Sequence, residues 1–124
     1  MSRVIATAEL SRYAKGKLKS AKGTWFGRPV TAYLTDAYLV AGCCVGVIHR
    51  HVKADAYGRF QDGHLVRTSD VLEAQLHDGF WTLRTYTGSL YVVATFNKSA
   101  GRQSLDVLLE HLKRGMHATP HRLQ

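Results

Sequence analysis

Between Trp25 and Phe96 the chain alternates short β-forming runs with Gly- and Asp-containing turns, and this punctuation most limits what it can fold into. Val30-Thr31-Ala32-Tyr33-Leu34-Thr35 is a first run rich in β-branched and aromatic residues, ending near Asp36. Tyr38 to Val52 is long and mostly apolar. Gly42 and Gly46 interrupt it, which predicts a bulge or close backbone packing. Asp55-Ala56-Tyr57-Gly58 and Asp62-Gly63 read as turns, and His64 to Thr68 as a short strand. Val71 to Leu76 is answered by Phe80 to Thr85 across His77-Asp78-Gly79, the pattern of a hairpin. Tyr86-Thr87-Gly88 turns the chain again and Leu90 to Phe96 returns it. Five or six runs at a spacing of about 8–12 residues predict an antiparallel meander.

The flanks change period. Thr7 can cap a helix with Glu9 in its first turn, and Leu10, Tyr13, Ala14, Leu18 and Ala21 recur as one apolar face. Gly16 weakens that helix and Gly23 stops it. Near the other end Ser104 is a suitable N-cap, with Asp106 in the first turn. Leu105, Leu108, Leu109 and Leu112 form an apolar face, and Lys113, Arg114 and Gly115 close the helix. That face can cover the sheet. A chain of 124 residues leaves no room for a second core.

The expected fold class is therefore α+β in one domain, residues 1–124. It comprises a basic helical segment (1–23), a curved antiparallel β-meander (25–96), an amphipathic C-terminal helix (104–115) and a tail (116–124). The meander would be a sheet or an SH3-like half-barrel. Its two edge strands invite pairing across a two-fold axis, which would give a homodimer.

Composition excludes several classes. Hydrophobic residues are 45% and charged residues 21%, which argues against disorder along the whole chain. No apolar run approaches the roughly 20 residues of a membrane span, and the first residues lack a signal-type apolar stretch. Cys43 and Cys44 are adjacent and build no disulfide framework. A soluble, cytoplasmic protein is expected.

Its formal net charge of +8 is unevenly placed. Residues 1–28 set seven cations against Glu9, a net +6; residues 29–97 are net −1; residues 98–124 are net +3. A neutral scaffold carries cationic ends. In the first segment Arg12, Lys15, Lys19 and Lys22 fall on one helical stripe. Ordinary solvated faces mix signs, and this one does not.

Other constellations are weaker. His49 and His51 at i, i+2 would share a strand face, and His64 or Asp62 could complete a metal site. No ligand spacing supports that, so a solvated strand end is the better reading and no metal or cofactor is expected. Cys43 and Cys44 read as small buried hydrophobes rather than reactive thiols. Thr68-Ser69-Asp70 reads as a turn, since no nucleophile elbow surrounds Ser69. No phosphate loop or dinucleotide fingerprint is present either, so no enzyme activity is expected. Tyr57, Tyr86, Trp25 and one of Phe80 and Trp81 are the aromatics expected in solvent.

The stretch from Gly58 to Phe96 also carries Arg59-Phe60, Asp62-Gly63, Val66-Arg67-Thr68-Ser69, a hairpin, Thr85, Ser89 and Tyr91. This layout resembles one found in short accessory proteins of bacteriophages and other mobile elements. In those, a DG turn leads to an RTS strand and a Ser-x-Tyr strand closes the meander. The resemblance implies an accessory phage role, which includes inhibitors of host defence such as anti-CRISPR proteins. It brings no catalytic residues with it.

Together these readings predict a non-enzymatic basic protein that binds nucleic acid or a nucleic-acid-containing complex. The expected contact residues are Arg12, Lys15, Lys17, Lys19, Lys22, Arg28 and Trp25. The alternative is a protein–protein inhibitor of a host nucleoprotein machine, with no membrane partner in either case.

Overall fold

The structure, a computed structural model, describes residues 10–54 and 61–115. Two helices and six strands follow in the order α1 (Arg12–Lys22), β1 (Ala32–Val40), β2 (Cys43–His49), β3 (Leu65–Arg67), β4 (Val71–His77), β5 (Phe80–Thr85), β6 (Leu90–Val93) and α2 (Gly101–Lys113). The architecture is α+β. The spatial order of the sheet is β3-β2-β1-β6-β5-β4. It is not the single antiparallel meander expected. Two three-stranded antiparallel units, β1-β2-β3 and β4-β5-β6, meet where β1 and β6 run parallel, with Leu34 opposite Val93. The sheet is open, with β3 and β4 at its edges. It curls enough that the Val71 N–H reaches the Gly42 carbonyl at 2.8 Å.

Turn chemistry sets the registers. Ala41 and Gly42 join β1 to β2 with φ of 50° and 83°, and Asp78 and Gly79 join β4 to β5 with φ of 50° and 85°. Both central residues are left-handed in each case, as the two-residue type I′ hairpin requires. Gly42 thus serves a turn, where a bulge or close backbone packing was expected. The bulge lies instead in β1, between Thr35 and Tyr38, where Asp36 takes a φ of 55°. It lets β1 continue to Val40, past the Asp36 end expected from sequence. Gly46 sits across from it, and a Cβ there would stand 3.3 Å from both the Leu34 Cβ and the Thr35 carbonyl oxygen.

Two apolar clusters form on opposite faces of the sheet. Along β6, Leu90 and Val92 belong to one cluster while Tyr91 and Val93 belong to the other. Alternate strand residues point to opposite faces, so the clusters lie on either side. The first includes Leu18 and Ala21 of α1 with Phe26 and Phe80. The second includes Leu105 and Leu108 of α2 with Leu34, Ile48, Val71 and Leu83. The sheet is therefore held between the two helices.

The helix ends differ from expectation. The cap of α1 is Ser11, whose Oγ accepts from the Ala14 N–H at 3.0 Å. Thr7 and Glu9 lie outside the described residues, as do the Asp55–Gly58 turn and the tail. Tyr13, assigned to the apolar face, is 69% exposed. Ser104 is not the cap of α2, which begins at Gly101. The Asn97 side chain does part of the work ahead of it, its Oδ1 accepting from the N–H groups of Ser99 and Ala100. Ser104 bonds back within the helix, donating to the Gly101 carbonyl at 2.6 Å and accepting from the Leu39 N–H at 2.8 Å. It ties α2 to β1.

Candidate nucleic-acid interface

Helix α1 carries Arg12, Lys15, Lys17, Lys19 and Lys22 and no acidic residue. Ala14, Leu18 and Ala21 are buried against the sheet, which turns the cationic residues outward. Arg12, Lys15, Lys19 and Lys22 are exposed. The ion pairs among the described residues join Asp78 to His77, Glu73 to Arg84 and Glu110 to Arg114. None of them reaches this stripe.

The remaining expected contact residues are less available. Lys17 is half-buried, with its Nζ 4.8 Å from the centroid of the Phe80 ring. A contact of that kind is worth roughly 0.5–1 kcal/mol at the surface. Arg28 is exposed but donates to the Gly88 carbonyl at 3.1 Å. Trp25 is 68% exposed.

Helix α2 offers a comparison within the same molecule. Arg102 and Lys113 are balanced there by Asp106 and Glu110. Glu110 pairs with Arg114 one turn on at 3.1 Å, and the Arg102 guanidinium lies 5.7 Å from the Trp81 ring. Those charges serve the fold. The two helices therefore lie on opposite faces of the sheet, and α1 carries its cations with no acidic residue of its own.

The histidine pair is not the solvated strand end expected, because both residues are buried. Arg50 takes a φ of 58°, which breaks the strand period between His49 and His51. His49 Nε2 lies 2.9 Å from the Thr35 hydroxyl, on the α1 side. His51 accepts from the Lys53 N–H at 2.9 Å and lies 6.3 Å from the Tyr91 ring, on the α2 side. Burial lowers the pKa of both, with Asp62 raising and Lys22 lowering that of His49, and Lys53 lowering that of His51. Asp62 accepts from the Arg50 N–H at 2.7 Å. Among the described residues no group of three His, Cys, Asp or Glu could hold a metal ion.

Cys43 and Cys44 are both buried, and burial pushes the Cys44 thiol up to about 12. A thiol so shifted is inert as a nucleophile at neutral pH. Phe80 is buried and Trp81 half-buried, so neither is the exposed aromatic expected of that pair, whereas Tyr86 is 58% exposed.

Ser69 and its neighbours build a clasp between two turns. The Ser69 and Thr87 hydroxyls lie 3.1 Å apart, and the Ser69 Oγ accepts from the Thr87 N–H at 3.3 Å. The Thr68 Oγ1 accepts from the Cys44 N–H at 3.0 Å, and the Tyr86 N–H donates to the Asp70 carbonyl at 2.7 Å. The Thr85 N–H donates to the Ser89 carbonyl at 3.0 Å. Ser69 and Asp70 thus hold the β3–β4 connection against the β5–β6 turn.

A cavity of about 360 Å³ lies on the α2 side, lined by Leu39, Val40, Val71, Val107, Leu108 and Leu112 with Asp70 and His111. It is remote from the cationic stripe. Comparison of the chain with family models, curated proteins and solved structures found no match. Among the described residues no helix is long and apolar enough to cross a membrane.

Proposed function

We propose that this protein binds nucleic acid, or a complex that contains it, through the exposed face of α1, and that it acts without catalysis. The observation that carries the reading is the contrast between its helices. Five cations on α1 meet no acidic residue on that helix, whereas α2 balances its charges. Uncompensated like charges repel one another, and a polyanion relieves that repulsion while releasing its own counterions. No element carries a base-reading motif, so the contacts are to phosphate and carry little sequence preference. A cytoplasmic setting suits such a ligand.

Replacing Arg12, Lys15, Lys19 and Lys22 by Glu tests the reading. All four are exposed. Far-UV circular dichroism should stay native while binding to nucleic acid is lost. Retained binding would move the function to another surface.

A second reading comes from the resemblance to phage accessory proteins. The same cationic face would then occupy a site on a host defence machine that normally faces nucleic acid. A pull-down whose partners survive nuclease treatment favours it over the first. The seven-residue edge strand β4 is where two copies would pair if the protein is a homodimer.

A further inference from the structure

Trp25 is left in solvent while both of its neighbours are held. Its exposure is 68%, high for a residue with so much apolar area to bury. On one side, the Thr24 hydroxyl donates to the Ser20 carbonyl at 2.9 Å and the Thr24 N–H to the Ala21 carbonyl at 3.1 Å. On the other, Phe26 is 7% exposed and packs edge-on to Phe80 with ring centroids 6.2 Å apart, and 5.1 Å from the His77 ring. The backbone at Trp25 is thus pinned to α1 before it and to the core after it. The indole is presented on a fixed support.

Its surroundings are cationic. Lys22 precedes it by three residues and Arg28 follows it by three, and both are exposed. At the far end of α1, Tyr13 is a second ring in solvent, 69% exposed. The helix rise sets Tyr13 and Lys22 about 14 Å apart along the axis. Cations tracking a backbone beside exposed rings are the two components of single-strand recognition. A duplex keeps its base faces stacked inside and shows only edges in its grooves, so it offers such a ring nothing to stack on. An unpaired base does.

We infer that α1 and Trp25 form a site for single-stranded nucleic acid, in which Arg12, Lys15, Lys19 and Lys22 follow phosphates and Trp25 stacks on an unpaired base. This rests on the nucleic-acid reading above and narrows it. The backbone held on either side of Trp25 reduces what the chain must order on binding.

The test titrates labelled oligothymidylate and oligouridylate of about 12 nucleotides, and a duplex of the same length, into the full chain and reads anisotropy and tryptophan emission. One or both single strands should bind more tightly than the duplex and quench emission. Trp25→Ala should weaken single-strand binding roughly 5- to 150-fold, the range expected for one stacked base. Trp25→Phe should retain most of the affinity. Trp81 remains in both variants as a fluorescent reference. An unchanged affinity in Trp25→Ala, or a duplex bound as tightly as the tighter-binding single strand, overturns this inference and leaves the broader reading standing. No binding to any of the three probes overturns both.

Discussion

Gly16 and Gly101 occupy helices in opposite surroundings, and the difference sets the sign of the same substitution. A Cβ at Gly16 would meet nothing within 4 Å. Gly16→Ala should therefore stabilise the protein by about 0.5–1 kcal/mol, through helix propensity and a less flexible unfolded chain. A Cβ at Gly101 would stand 2.5 Å from the Ala37 carbonyl oxygen and 2.9 Å from the Phe96 Cβ. Gly101→Ala should cost about 1–3 kcal/mol, because the β1 bulge or α2 must move to admit it. Urea titrations of the two variants check both signs. The cysteines give a further residue-scale prediction. With Cys44 raised to about 12 by burial, and Cys43 also buried, a thiol reagent at neutral pH should label neither until denaturant is added.

Several residue-scale readings failed for identifiable reasons. His49 and His51 obey the two-residue strand period only if Arg50 is extended, and its left-handed φ was not visible in its identity. Ser104 has the side chain of an N-cap, but the same hydroxyl can bond back to its own helix, and the Leu39 N–H makes that use the better one. Tyr13 falls near the apolar arc of α1, but the helix buries only Ala14, Leu18 and Ala21.

At the scale of elements, the β4–β5 and β5–β6 hairpins were legible because their signals are local, whereas the β1–β2 hairpin at Ala41-Gly42 was not. Asp78-Gly79 marks its own turn, and Gly88 with a φ of 89° marks the next. The parallel pairing of β1 with β6 was not legible. It joins Leu34 to Val93 across nearly half of the chain, and no turn residue encodes so distant a partner. The end of β2 also makes a pH prediction. Burial lowers the pKa of His49 and His51 in the folded protein, while the unfolded chain titrates near 6.5. Unfolding therefore takes up protons below that value. Stability should be flat above about pH 7.5 and fall as the pH drops through about 6.5 toward the lowered folded values. Thermal melts should show a steeper acid decline in the parent protein than in His49→Gln. Equal slopes would remove His49 as a contributor.

For the whole molecule, charge arithmetic on the sequence located the basic segments but not their arrangement. The sheet sets α1 and α2 on opposite faces, so the cations of the two helices do not form one patch. Of the candidate site, the stripe of Arg12, Lys15, Lys19 and Lys22 was legible from helical spacing alone. The withdrawal of Lys17 toward Phe80 and the bond of Arg28 to Gly88 were not, because both depend on long-range packing. In the proposed function α1 binds phosphate by charge. The most direct measurement of that binding is the salt dependence of affinity for a single-stranded oligonucleotide. Four phosphate contacts predict that log K falls with log salt at a slope of about −2.8, and that the fourfold Glu variant shows no measurable binding. A slope near zero, or an unchanged slope in that variant, would contradict the account.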